Sequence, residues 1–332
     1  FRVGLCGCGV IGEGLARVLV EHQSIIAARV GAPVRLTVAA DKDPGRLSIV
    51  HALDPSVTLL DDAFDVVTRD DVDLVVELIG GVEVADRLVR AALEAKKHVV
   101  TANKALLAER GEALFALAEA SACDLYFEAA VAGAIPVIRV LRESLASDRI
   151  DSVRGIINVT SNYILTSMAN DGAAFADALA AAQKAGFAEA DPTLDITGGD
   201  AGHKLAILAG LAFGARVSPK EIPTEGIQEV DPRDIRYAKK FGYAIRPLAV
   251  AERLEDGSLD LRVHPALVPM GQPLAHVERF QKLLHDLNLR VLAGLERETE
   301  RLAHQRVAVA PEHRTRSRVG ELDLALIVDD QD

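Results

Sequence analysis

Six residues near the start, Gly7-Cys8-Gly9-Val10-Ile11-Gly12, restrict the architectures open to this chain more than any other stretch. They follow the apolar run 3–6 and lead into a helical pattern, so they join a strand to a helix through a turn holding three glycines. Such a turn lets backbone approach a ligand closely, and the helix that opens from it presents N–H groups to an anion such as a pyrophosphate. Short apolar runs recur at 36–40, 74–79, 98–101 and 125–127, with Ala- and Leu-rich helical stretches near 11–29, 84–95 and 105–121. Strands that are apolar throughout, separated by crossover helices, predict a parallel sheet covered on both faces. Residues 1–133 are therefore expected to form a doubly wound α/β dinucleotide-binding domain.

Past Pro136 the rhythm changes. A helix to about residue 145, a strand over 153–159 and helices near 161–169, 173–185 and 200–213 precede two strand-like runs, 245–253 and 259–263. The pair is joined by Glu255-Asp256-Gly257-Ser258, which has the composition of a hairpin turn. This predicts a second, α+β domain over 134–277. Residues 278–332 read as a separate C-terminal segment, with a charged amphipathic helix over 277–305 and a strand over 322–328, and a return to the first domain is left open.

Composition excludes several classes. Lys plus Arg total 37 against 49 Asp plus Glu, and a net charge of −12 repels a nucleic-acid backbone. No apolar run approaches the roughly 20 residues of a membrane helix. Three cysteines, Cys6, Cys8 and Cys123, show no metal-ligand spacing, and an odd number suggests reduced thiols. With no basic leader after Phe1, a cytoplasmic location is expected.

Three polar groupings stand where chemistry is expected. Asp41, at the end of the second apolar run, offers a carboxylate to an adenosine ribose diol and favours NAD, although the neighbouring Lys42 tolerates the phosphate of NADP. Thr101-Ala102-Asn103-Lys104 ends the run 98–101, at a strand's carboxyl end, where open α/β sheets bind ligands. The richest segment is a Gly/Pro loop with Gly186, Glu189, Asp191 and Asp195, followed by Asp200 and Lys204 at i and i+4 on the first turn of a helix. Several carboxylates and one lysine beside a buried helix suit an amino-acid substrate.

These residues resemble the homoserine dehydrogenase family. The likeness is carried by Gly7 to Gly12, Glu77-Leu78-Ile79-Gly80-Gly81, Thr101-Ala102-Asn103-Lys104-Ala105-Leu106-Leu107, Phe127-Glu128-Ala129-Ala130-Val131-Ala132-Gly133, Asn162-Tyr163-Ile164-Leu165, the segment 189–204, and His264-Pro265-Ala266-Leu267-Val268-Pro269. The resemblance implies interconversion of L-homoserine and L-aspartate 4-semialdehyde with NAD or NADP, a step towards threonine and methionine. It implies that Lys204 exchanges the proton at the substrate oxygen and that Lys104 assists. Homoserine would be held by Glu189, Asp195, Asp200 and Thr160. The cofactor would lie on Gly7, Gly9, Val10, Ile11, Gly12, Asp41, Gly80, Thr101, Lys104 and Gly186. A monovalent cation, sodium or potassium, would sit on Glu128 and the carbonyls of Val131, Gly133 and Ile135. A homodimer formed through the second domain is implied as well.

The chain also departs from the family pattern. Asn158-Val159-Thr160 replaces Asn-Gly-Thr, Ala134 replaces a glycine, Ala40 replaces a frequent arginine, and the stretch after Val277 is unlike the family's. If the replaced glycine served a positive φ or a close backbone approach to the substrate carboxylate, Val159 would shift the substrate loop or crowd the pocket. The competing expectation is a degenerate homologue that binds a dinucleotide without catalysis, as a regulatory or inactive subunit.

Overall fold

The computed structural model describes residues 1–133, 135–277 and 326–329. The chain divides into two compact units, Phe1–Arg149 with His203–Glu221, and Ile150–Gly202 with the described residues from Ile222 onward. The expected boundary after residue 133 therefore falls inside the first unit, and a piece of later chain is returned to it. His203, Ala206, Gly210 and Val217 line, with Leu107, Gly111 and Phe115, a cavity of about 790 Å³, and Arg216 forms an ion pair with Glu112.

The first unit begins β1 (Arg2–Cys6), α1 (Val10–Glu21), α2 (Gln23–Val30), β2 (Arg35–Ala40), α3 (Pro44–Leu53), β3 (Thr58–Leu60) and α4 (Ala63–Val67). It continues β4 (Leu74–Glu77), α5 (Glu83–Glu94), β5 (His98–Thr101), α6 (Lys104–Ala120), β6 (Leu125–Tyr126) and α7 (Val137–Arg139), which runs on as π-type turns over Val140–Ser144. The strands are parallel in the order β3-β2-β1-β4-β5-β6. This is the doubly wound order whose reversal point lies between β1 and β4. Leu5, Val38, Val75 and Val99 are buried on the central strands, as a sheet covered on both faces requires.

Local chemistry sets the element boundaries. The helix expected over 11–29 is two helices, because His22 leaves helical geometry at φ −109° and ψ 19°. The second of them buries no residue fully and meets the core through the partly buried Ile26. Asp43, Asp62 and Asn103 cap α3, α4 and α6 by accepting first-turn N–H groups. The strand expected over 74–79 stops at Glu77, whose Oε1 accepts the N–H groups of Ile79 and Gly80 and turns the chain into Gly80 and Gly81 at φ 80° and 70°. Without a Cβ these two residues adopt that conformation freely.

The second unit holds β7 (Ser152–Gly155), α8 (Val159–Asp171), α9 (Phe175–Lys184), α10 (Thr193–Ile196), the start of α11 (Gly199–Phe213), α12 (Pro232–Lys240), β8 (Tyr243–Arg253), β9 (Leu259–Pro269) and β10 (Leu326–Asp329). Its sheet is antiparallel, in the order β10-β7-β8-β9. The expected hairpin is present, with Gly257 at φ 84° and the Leu254 N–H donating to the Ser258 carbonyl at 2.8 Å. Ile164, Leu165 and Met168 of α8 pack with Ala178 and Ala182 of α9 and Ile235 of α12 in one core. The strand expected over 153–159 ends at Gly155, because Asn158 is drawn off to cap α8. Of the segment 278–332, only β10 is described, and it joins this second sheet rather than the first unit. The helix expected over 277–305 lies outside the described residues.

Candidate active site

At the head of α1 the glycines divide by role. Gly7 lies at φ +97°, and a Cβ on it would stand 2.5 Å from the Leu78 carbonyl oxygen. A Cβ on Gly12 would stand 2.0 Å from the Gly7 carbonyl oxygen. Both glycines are demanded by the protein's own packing. Gly9 differs, with φ −66° and ψ −166°, a conformation open to any residue, and the nearest atom to its Cβ position is Arg46 Nη1 at 3.7 Å. Apart from that guanidinium, no other residue's atom beyond its chain neighbours is found within 4 Å of the Gly9 Cβ position. Val10 and Ile11 beside it are 92 % and 64 % exposed, an apolar flank at a helix N-terminus whose first amides lack helical partners. These residues fit a dinucleotide pyrophosphate.

Asp41 is turned into this loop. Its Oδ2 accepts the Cys8 N–H at 2.7 Å and its Oδ1 the Asp43 N–H at 2.9 Å. Burial, reinforced by the Asp41 charge, pushes the Cys8 thiol up to about 11, which leaves it an inert packing group.

At the carboxyl ends of β4 and β5, Glu77 is fully buried and acts as a hub. Besides the two loop amides, it accepts the Thr101 hydroxyl at 2.6 Å. Thr101 in turn accepts the Asn103 N–H at 3.0 Å, and the Asn103 amide donates to the Gly81 carbonyl at 2.6 Å. This lattice of hydrogen bonds fixes Gly80, Thr101 and the start of α6, where Lys104 stands half-buried. Glu77 and Asn103 fall inside motifs singled out in the sequence but were given no role in the site, and the sequence signal for a role is Asn103 as an N-cap before a helical run.

In the second unit Asn158 ties the expected carboxylates together. Its amide nitrogen donates to Asp195 Oδ1 at 2.7 Å and to Asp200 Oδ2 at 2.8 Å, while its Oδ1 accepts the Ser161 N–H and caps α8. The Thr160 hydroxyl lies 2.6 Å from the Phe187 carbonyl oxygen and 3.1 Å from Asp195 Oδ2. Asp200 is 3 % exposed, so its carboxylate is held by hydrogen bonds rather than by water. Thus Thr160, Asp195 and Asp200 are brought together. Lys204 follows Asp200 by one turn of α11 and is half-buried. Glu189 and Gly186 lie on an exposed loop, Gly186 at φ 77°, and the Glu189 carbonyl accepts from Gln183.

Val159 requires a correction. It is the first residue of α8, and it is not among the described non-glycine residues with positive φ, which are Lys96, Ala122 and Ala132. The loop is shaped by the Asn158 cap and not by a left-handed residue, so the distortion expected from a positive φ is absent. Val159→Gly should therefore leave the KM for substrate within about twofold of the parent and lower stability by at most about 1 kcal/mol through helix propensity. Steady-state kinetics and thermal unfolding of the pair check this.

Glu128, the expected cation ligand, accepts the N–H groups of Ile138 and Arg139 with its two oxygens, each at 3.0 Å. Next to it Ala132 takes φ 49°. Among the described residues no cluster of three or more His, Cys, Asp or Glu side chains is placed to hold a metal ion, and no helix is long and apolar enough to cross a membrane.

Comparison with known proteins accounts for both halves. Residues 7–128 match the model described as homoserine dehydrogenase, NAD binding domain, and residues 136–285 match homoserine dehydrogenase. A homoserine dehydrogenase of Neisseria gonorrhoeae is 47 % identical over 277 residues, which are 83 % of this chain and 63 % of that protein. The crystal structure of one from Thiobacillus denitrificans is 46 % identical with a TM-score of 0.79, covering 84 % of this chain and 64 % of that one. One from S. aureus is 32 % identical with a TM-score of 0.71, over 84 % of this chain and 68 % of that one. The chain spans a little under two thirds of the curated relatives it matches, 63 % and 62 % of the first two. With both family models matched in sequence order and the glycine turn and carboxylate cluster standing where those models fall, this chain belongs to the homoserine dehydrogenase family.

Proposed function

We propose that this chain interconverts L-homoserine and L-aspartate 4-semialdehyde with a nicotinamide cofactor. The observation that carries the reading is the Asn158 amide, which holds Asp195 and Asp200 together at the start of the helix that bears Lys204. Fixed carboxylates of this kind bind a substrate ammonium through charge-assisted hydrogen bonds, and Glu189 on the neighbouring loop adds a further one. The Lys204 amine exchanges a proton with the substrate oxygen as the alcohol and aldehyde interconvert. Lys104, set by the Glu77 and Asn103 network, is the assisting lysine of this reading.

The nicotinamide, when bound, takes or returns the hydride at its C4. Gly7, Gly9, Val10, Ile11 and Gly12 hold the pyrophosphate, Asp41 the adenosine ribose, and Gly80, Thr101, Lys104 and Gly186 the nicotinamide end. The Gly9 backbone, whose Cβ position is approached within 4 Å by Arg46 Nη1 alone, supports this placement. The all-oxygen set of Glu128 and the carbonyls of Val131, Gly133 and Ile135 has a single negative charge, which suits sodium or potassium better than a transition metal. A homodimer formed through the second unit is carried over from the family resemblance. A cytoplasmic place in threonine and methionine synthesis completes the reading.

The test is absorbance at the reduced-nicotinamide band with homoserine and NAD or NADP in turn, with and without added potassium. Turnover that depends on homoserine is expected. Tight cofactor binding without hydride transfer would instead favour the non-catalytic homologue, whose most specific support, a strained Val159, is gone.

A further inference from the structure

The glycine turn carries a charged group that no sequence pattern singles out. Arg46 lies in the first turn of α3, with Nη1 3.7 Å from Asp41 Oδ2 and Nε 3.6 Å from Asp43 Oδ2. Neither separation is a hydrogen bond, so both contacts are electrostatic. The same Nη1 is the atom nearest to the missing Cβ of Gly9, which puts the guanidinium at the lip of the turn. Its side chain is 52 % exposed, whereas that of Asp41 is 10 % exposed and has each oxygen accepting a backbone N–H. Asp41 is thus fixed and partly neutralised, while Arg46 is accessible and has a fork that matches a phosphate.

We propose that Arg46 is the residue through which this site admits the adenosine 2′-phosphate of NADP(H), while Asp41 serves the 2′-hydroxyl of NAD(H), so that both cofactors bind. The inference rests on the nucleotide reading of the glycine turn given above. Ala40 brings no charge to the end of β2, so the 2′-phosphate has two cationic neighbours to choose from, Arg46 and Lys42. Arg46 is favoured because it stands against both Asp41 and Gly9.

The experiment is direct binding to the full chain, followed by nicotinamide fluorescence for NADPH and NADH and by calorimetry for 2′,5′-ADP and 5′-ADP. Arg46→Ala is expected to weaken NADPH and 2′,5′-ADP about tenfold or more, the size of a lost charge-assisted hydrogen bond, and to leave NADH and 5′-ADP within about twofold. Arg46→Lys should recover part of the loss, and Lys42→Ala should change little. An equal loss of both cofactors on Arg46→Ala, or unchanged NADPH binding, overturns the assignment to Arg46 and leaves the nucleotide site standing. A parent chain that binds none of the four ligands overturns the site and the assignment together.

Discussion

Lys204→Ala should lose between about 10² and 10⁴ in kcat for homoserine oxidation, the usual contribution of one positioned proton-transfer group, and keep its affinity for NADH and NADPH within about twofold. The residue follows Asp200 by one turn of α11, and Asp200 is immobilised by Asn158. A helix holds i and i+4 side chains about 5–6 Å apart on one face, so fixing Asp200 also fixes where the lysine begins. On the proposed reading cofactor affinity rests on the glycine turn at residues 7–12, far off in sequence. Stopped-flow measurement of hydride transfer, paired with fluorescence titration of cofactor, separates the two. Activity within about threefold of the parent would remove Lys204 from the reaction and leave Lys104 as the candidate.

Gly9→Ala is expected to show the opposite pattern, a stable protein with little cofactor affinity. The alanine Cβ meets nothing nearer than Arg46 Nη1 at 3.7 Å, and the backbone at φ −66° and ψ −166° accepts it. Its melting temperature should therefore match the parent to within a degree or two. The methyl group would occupy the space through which a pyrophosphate approaches the backbone, and loss of that approach should weaken binding about 100-fold. Gly12→Ala is the contrasting case, since its Cβ would lie 2.0 Å from the Gly7 carbonyl oxygen and the turn itself must give way. Equal stability losses for the two variants would show that the glycine at residue 9 serves the fold and not a ligand.

The difference between these glycines marks how far the sequence could be read. The glycine turn, the alternation of β1, β2, β4 and β5 with α1, α5 and α6, and the β8–β9 hairpin were legible because each is a local pattern of hydrophobic period or turn chemistry. β3 was not, since three half-buried residues carry no period, and α3 was masked by a Pro-Gly pair that reads as a turn but in fact opens the helix behind the Asp43 cap. Missing α3 hid Arg46, which approaches Asp41 only because that helix starts where it does. Lys204, Asp195, Asp200 and Thr160 were legible as residue types in a motif. Asn158 as the link between Asp195 and Asp200 was not, because it pairs residues 37 and 42 positions apart. The strain assigned to Val159 failed for the same reason, because a capped helix start and a left-handed loop look alike in sequence until the cap's partner is known.

The return of His203–Glu221 to the first unit also sets an order of events during synthesis. When residue 149 has left the ribosome, all six parallel strands are available, yet the chain that faces Leu107, Gly111 and Phe115 of α6 has not been made. At ordinary elongation rates of about 5–20 residues per second, the interval to residue 221 lasts about 4–14 s. For that time the nascent sheet carries an uncovered apolar flank, long enough for a chaperone to bind or for two nascent chains to meet. Chains arrested on the ribosome with residue 149 just clear of the exit tunnel should therefore be held by chaperones more strongly than chains arrested with residue 221 clear of it, although the parallel sheet is complete in both.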